Sequence, residues 1–336
     1  MLVWQRLLQA IDRQGKAAMA TIVETRGSAP REAGARIVVL PDATFFGTIG
    51  GGTLEWRVIA DLQAALARQI PHFYTSQRVA LGPELGQCCG GRVDLALEVF
   101  DRSRRAEVNE LAEAEASGLF RTRGTQLSDG KLHRSIETTS QLPIGSARID
   151  HGVVEEGFGD DSRVLYLFGA GHVGRALVMA LAPLPFRVVW VDPRPDAFPQ
   201  HVPANAHCLQ PQDTPSALDG APEGSFVLVM SHSHALDLAI VAKALKGQPF
   251  AYVGLIGSET KRARFSHQFE RAGMAKDDIA RLVSPIGVPG IKSKLPAAIA
   301  ASVAADLLVR DEAIRQALAY GTLGPAEASA RAVGGR

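Results

Sequence analysis

The sequence predicts an α/β protein. Its second half reads as a doubly wound parallel sheet and its first half as a mixed α/β (α+β) domain. Three observations carry this. Residues 164–168 form a continuous apolar run, the pattern of a strand buried on both faces. The run is followed at once by Gly169-Ala170-Gly171-His172-Val173-Gly174 and a helical pattern to Leu181, then by a second apolar run, 187–191, that ends at Asp192. Strand, Gly-x-Gly-x-x-Gly, helix, strand and an acid about 20 residues on is a Rossmann-like arrangement. Before residue 162 the apolar runs are shorter and are punctuated by Gly and Pro, so that half does not share the pattern.

In chain order, residues 4–14 read as a helix with Leu7, Leu8 and Ile11 on one face, and 17–24 as a strand. Residues 25–31 are a loop carrying Arg26 and Arg31. A solvated loop and an anion-facing loop both account for them. Residues 36–40 and 44–47 are strands across a Pro41-Asp42 turn. Gly50, Gly51 and Gly52 then lead into a helix reaching Gln69. Thr53 is its expected N-cap, Leu54, Val58, Ile59, Leu62 and Leu66 its apolar stripe, and Trp56 is read as broadening that stripe. A glycine loop feeding a helix start is a ready anion site. Glu55 also suits the positive end of the helix dipole.

Residues 78–81 lead to Gly86-Gln87-Cys88-Cys89-Gly90-Gly91. Residues 93–100 alternate as a half-buried strand, and 104–117 read as a polar surface helix. Short strands follow, with a hairpin turn at Ser128-Asp129-Gly130 and a linker at 157–161. The expected division is 1–118, a cofactor-binding domain with glycine and cysteine loops; 119–161, short strands and linker; and 162–336, the Rossmann-like domain. In that last part, strands are expected at 226–230, 251–256 and 282–283, and helices at 236–246, 258–273 and 296–309.

Of 336 residues, 46% are hydrophobic and 21% charged, with a formal net charge of +1, which argues against a bulk electrostatic nucleic-acid binder. Three cysteines make no disulfide framework, so a reducing, cytoplasmic setting is expected. Residues 1–14 carry Arg6, Asp12 and Arg13 and do not read as a signal peptide. The most apolar stretches, 176–186 and 297–309, are too short to span a membrane.

The chemistry centres on Cys88-Cys89. A disulfide between neighbours closes a strained ring. Glycines on both sides leave little to bury inert thiols, whereas backbone N–H groups nearby favour the thiolate that binds metal or attacks. In the second half, ligands of such sheets lie beyond the carboxyl ends of the strands. Residues 169–174 (with Gly169, Gly171, His172 and Gly174), Asp192, Arg194, Ser231, His232, Ser233, His234, Gly257, Ser258 and residues 285–287 fall there. Asp192 would accept from ribose hydroxyls and make few packing contacts; the alternative is that Arg194, two residues on, meets a phosphate instead. His232 and His234 line the site without metal, or Ser231 and Ser233 cap the next helix. Lys261 and Arg262 read as a solvated helix face.

These residues also carry a resemblance. The runs 47–55, 81–91, 168–174, 231–237 and 254–258, with Ser284-Pro285-Ile286-Gly287 and residues 296–300, resemble the xanthine dehydrogenase accessory proteins of the XdhC/CoxI family. Gln87-Cys88-Cys89-Gly90-Gly91 points to the XdhC branch. In the CoxI branch a cysteine often follows the upstream glycines, where Thr53 stands here. The resemblance implies a Rossmann-like second domain and a chaperone for the molybdenum cofactor. It would hold molybdopterin while the molybdenum gains a terminal sulfur from a cysteine desulfurase, then deliver it to apo-xanthine dehydrogenase. Cofactor-binding residues would be Gly50, Gly51, Gly52, Glu55, Gln87, Cys88, Cys89, Gly90, Gly91, Gly169, Gly171, His172, Gly174, Asp192, His232, His234, Gly257 and Ser258. Cys88 and Cys89 would contact molybdenum, since a soft metal accepts thiolate. A nucleotide is a further possible occupant of the Rossmann half. A homo-oligomer is expected, without nucleic-acid or membrane partners. The main alternative is an NAD(P)-dependent oxidoreductase, which leaves the cysteine pair without a task. A thiol redox sensor is the third reading.

Overall fold

A computed structural model describes residues 2–68, 73–82, 90–128, 130–246 and 250–319. Internal packing divides the chain into two compact units, Met1–Asp161 and Ser162–Arg336. No helix among the described residues is long and apolar enough to cross a membrane.

The first unit opens with α1 (Val3–Gln14), whose Trp4, Leu7 and Ile11 are fully buried at helical spacing. Then come β1 (Lys16–Arg26), β2 (Arg36–Val39), β3 (Phe45–Gly47), α2 (Gly52–Ala67), β4 (Tyr74–Ala80) and β5 (Arg92–Asp101). The strands form an antiparallel sheet ordered β3-β2-β1-β5-β4. Leu54, Val58, Leu62 and Leu66 of α2 pack on one face with Ile22, Ile37, Leu95 and Leu97. Trp56 does not join them. It is 73% exposed, because it lies two residues from Leu54 and from Val58, on the opposite side of the helix.

Next is α3 (Arg105–Ser117). It is not a purely surface helix: Val108, Leu111 and Ala112 pack with α1, and buried Glu115 accepts from the Val3 and Gln5 N–H groups at 2.8 and 3.1 Å. Residues 120–158 build a second antiparallel sheet from β6 (Phe120–Gln126), β7 (Leu132–Glu137), β8 (Ala147–Asp150) and β9 (Val153–Phe158), ordered β7-β6-β9-β8. The residue 127–131 turn closes the expected hairpin, with Asp129 outside the described residues.

This second sheet overturns the half-buried reading of β5, which is buried on both faces. Its polar face meets an internal ion layer. Arg134 donates to both oxygens of Glu98 at 2.5 and 2.8 Å and to Glu156 at 2.7 Å. Arg104 donates to Glu98 at 3.2 Å and Arg36 to Glu156 at 3.4 Å. All five groups are buried. Burial alone would push the Glu156 carboxyl up, but Arg134 and Arg36 hold it below the usual carboxylate range.

The second unit contains β10 (Arg163–Phe168), α4 (His172–Leu181), β11 (Phe186–Val191), β12 (Ala206–Leu209), β13 (Phe226–Val229), α5 (His234–Lys246), β14 (Tyr252–Leu255), α6 (Glu259–Arg271), α7 (Lys276–Ala280), β15 (Leu282–Val283) and α8 (Pro296–Ala319). All six strands are parallel, in the order β12-β11-β10-β13-β14-β15. Numbered within the unit this is 3-2-1-4-5-6, the Rossmann order. Along β10, Leu165 and Leu167 enter the core under α4 and α8, while Tyr166 and Phe168 enter the core under α5 and α6. Two elements escape the sequence pattern, β12 and α7.

Candidate functional site

In the first unit, the backbone from Arg26 to Arg31 meets two of the glycine elements. A Cβ on Gly50 would lie 2.5 Å from Pro30 Cγ, and one on Gly91 would lie 2.0 Å from the Ser28 carbonyl oxygen. The Leu81 N–H donates to the Gly91 carbonyl at 2.8 Å, extending the β4–β5 pairing to the edge of the cysteine loop. Gln87, Cys88 and Cys89 lie outside the described residues. Gly90, which flanks them, is exposed. Arg31, Arg36, Gly47 and Thr48 help line a cavity of about 310 Å³ beside the glycine turn. Arg26 and Arg31 pair with Glu24 and Glu32 at 2.7 and 3.0 Å and remain partly exposed.

The turn into α2 holds a carboxylate of its own. One oxygen of Glu55 accepts from the Thr48 hydroxyl at 2.5 Å, the Ile49 N–H at 2.9 Å and the Gly51 N–H at 3.2 Å. Burial would raise the Glu55 carboxyl, but these bonds outweigh it and hold the group below its ordinary range. Gly51, at φ +73° and ψ −170°, is the N-cap, and Thr53 makes no cap bond as the second helical residue. Only glycine takes that backbone conformation readily. The N–H groups of Gly52 and Thr53, the first two residues of α2, have no acceptor within the helix.

In the second unit, the turn between β10 and α4 is packed from below and open above. A Cβ on Gly174 would fall 2.1 Å from the Gly169 carbonyl, and one on Gly169 2.4 Å from the Met230 carbonyl. At Gly171 nothing stands within 4 Å. Ala170, Gly171, His172, Arg175 and Arg194 help line a cavity of about 320 Å³.

Asp192 stands at the end of β11 as expected, but it is not a lightly packed carboxylate. It is fully buried and accepts from the Ala170 N–H at 2.8 Å, the Arg194 N–H at 3.1 Å, and Arg194 Nε and Nη2 at 2.9 and 2.8 Å. Burial would raise its pKa, but the Arg194 and Ala170 bonds hold it below the usual range.

The Ser231–His234 turn is fixed by two residues that the glycine and histidine motifs do not single out. Buried Asp237 accepts from the Ser231 N–H and hydroxyl at 3.1 and 2.6 Å and from Lys261 Nζ at 2.8 Å. Lys261 also donates to the Ile256 carbonyl at 3.0 Å, so it is not a solvated lysine, whereas Arg262 is exposed. Ser233 accepts from the Leu236 N–H at 3.4 Å, the capping alternative, and His232 and His234 are exposed. Ser258 caps α6, and a Cβ on Gly257 would meet the Lys261 side chain at 2.6 Å. No group of three or more His, Cys, Asp or Glu able to hold a metal ion exists among the described residues.

A Bacillus halodurans crystal structure described as a xanthine dehydrogenase superposes with a TM-score of 0.75 at 22% identity, covering 94% of this chain and 97% of that one. A Bacillus subtilis protein named as a probable xanthine dehydrogenase component is 25% identical, over 89% of this chain and 94% of its own. Escherichia coli YqeB is 28% identical over 87% of this chain, which spans only 43% of YqeB. The XdhC Rossmann domain pattern matches residues 165–307, the unit with the 3-2-1-4-5-6 sheet, and the XdhC and CoxI family pattern matches residues 10–75, the unit with the Gly50–Gly52 turn. The chain belongs to the XdhC and CoxI family.

Proposed function

We propose that the protein holds the molybdenum cofactor and delivers it to a xanthine dehydrogenase. The observation that supports this is the meeting of the Gly50–Gly52 turn and Gly91 on the Arg26–Arg31 segment, which brings glycine backbone and two cations to the base of the cysteine loop. The residues suit a phosphorylated pterin. Gly52 and Thr53 N–H groups and the two arginines offer donors to the ring oxygen and nitrogens of the pterin, and Gly51 and Gly90 have open space where a side chain would stand. The carboxylate of Glu55 closes the turn from within, so it shapes the loop and is not a donor to an anion. Cys88 and Cys89 would supply soft thiolates to molybdenum, which when bound carries the sulfur needed by the client enzyme. The names of the B. subtilis and B. halodurans relatives support a xanthine dehydrogenase as client. A cysteine desulfurase would be the source of the sulfur.

The test is to purify the protein from cells that make molybdopterin and measure bound molybdenum and pterin. Wild type should carry both and should restore activity to apo-xanthine dehydrogenase. Replacing Cys88 and Cys89 together with Ala should remove the molybdenum and spare the fold. Full molybdenum loading of that double variant would refute the thiolate role, and a cofactor-free wild type would refute the chaperone reading. Robust substrate-dependent NAD reduction by the wild type would instead favour the oxidoreductase alternative.

A further inference from the structure

We infer that the cavity beside the Gly169–Gly174 turn is a phosphomonoester site closed to the vicinal hydroxyls of a ribose. In a dinucleotide site the acid at the end of the second strand accepts from ribose O–H groups. Asp192 has that position, and an ionised carboxylate offers about four lone-pair directions. Here four donors already use them: the Ala170 and Arg194 N–H groups and Arg194 Nε and Nη2. The side chain is 1% exposed. A ribose hydroxyl could bond to it only by breaking one of these bonds.

The same pairing prepares Arg194 for a different ligand. Nε and Nη2 are pinned to Asp192, while Nη1 has no partner among the described residues and the side chain is 43% exposed on the cavity. Gln210 donates to the Arg194 carbonyl and fixes the segment further. Arg175 is likewise held, Nε on the Ala170 carbonyl at 3.2 Å and Nη2 on the Ala197 carbonyl at 2.7 Å, with Nη1 left over among the described residues. Two preset guanidinium groups on one cavity suit the oxygens of a terminal phosphate. Asp196 lines the same cavity and Asp192 lies beneath it, so the two arginine charges are offset. Selection therefore rests on directed donors and not on a broad positive field.

The phosphate has two chemical sources, the 2′-phosphate of a nucleotide or the side-chain phosphate of a pterin, and only the second rests on the chaperone reading. The test is calorimetry on the full chain with NADP, NAD and a phosphorylated pterin. At least one of the two phosphomonoesters should bind about tenfold or more tightly than NAD, the factor carried by one charge-assisted hydrogen bond. Arg194→Ala should remove that preference by weakening the phosphomonoester and not NAD. Arg194→Lys keeps the charge without the fork and should restore only part of it. NAD binding as tightly as both phosphomonoesters would overturn the inference. So would an unchanged preference in Arg194→Ala, or no phosphomonoester binding at about 10 mM, beyond the range of specific sites. If Arg194→Ala does not fold, the Arg194→Lys ratio decides in its place. Molybdenum loading through Cys88 and Cys89 is measured separately, so failure of the chaperone reading and failure of this one give different results.

Discussion

The two glycine turns solve one problem in two ways. Each feeds a strand-side segment into a helix and would leave N–H groups without partners, and each is closed by a carboxylate of the protein itself. In the first unit that carboxylate is local: Glu55 reaches back to Thr48, Ile49 and Gly51 from the first turn of its own helix. In the second it is remote: Asp192 arrives on the neighbouring parallel strand, 22 residues after Ala170. The glycines differ accordingly. Gly51 is required by backbone conformation and has open space around it, whereas Gly174 is required by close backbone packing. A local staple holds a loop, while a remote one also ties the loop to the sheet.

The contrast is broken most severely at Gly174. A methyl group 2.1 Å from a carbonyl oxygen forces the turn apart, so Gly174→Ala should cost about 3 kcal/mol or more, at the upper end of overpacking. Chemical denaturation followed by hydrogen exchange should place the loss in the second unit. Removing the staples comes next. Asp192→Ala should cost about 2–3 kcal/mol, in the range for buried hydrogen bonds to a charged group, and Glu55→Ala about 1–2 kcal/mol, as for a lost helix cap. Equal losses in the two variants would erase the distinction between remote and local closure.

Acid titration sharpens the comparison with a smaller effect. Both carboxyls are held below their ordinary range in the folded protein. Their stabilisation is therefore complete above the unfolded value, about pH 4, and is lost as pH falls through the lower folded value. Denaturation midpoints measured on the acid side should fall in wild type, and Asp192→Asn and Glu55→Gln should each flatten the fall in their own unit. The smallest effect is expected at Gly171, which has ordinary φ and no atom within reach of a new Cβ. Gly171→Ala should change stability by less than about 0.5 kcal/mol while weakening the phosphomonoester preference in the calorimetric assay.

How much of this was legible follows from range in sequence. The run at β10 and the turn after it announce a Rossmann unit because every cue lies within about 30 residues. The position of Asp192 was legible for the same reason. Its saturation was not, because that depends on how the Arg194 side chain folds back and on the Ala170 amide in the turn that follows another strand. β5 misled for a related reason. Asp94 and Glu98 alternate with apolar residues like a solvent face, and the Arg134 that buries Glu98 lies 36 residues further on. β12 is short, only partly buried and set between prolines, so it lacks the strong apolar signature of its neighbours. The cysteine pair was the strongest chemical cue in the sequence, and it lies outside the described residues.

The ion layer between the two sheets of the first unit also fixes where that unit can be cut. A fragment stopping near residue 118 would keep Glu98 and Arg104 but lose Arg134 and Glu156, together with Leu132, Ala147 and Val154, which cover Val23 and Ala96. It would carry one carboxylate stripped of its bidentate arginine and an apolar sheet face turned to water. The smallest piece that evolution or an experimenter can move to another protein is thus the whole span to residue 161, and the late, polar strands are as much a condition of its solubility as the glycine loops are of its chemistry.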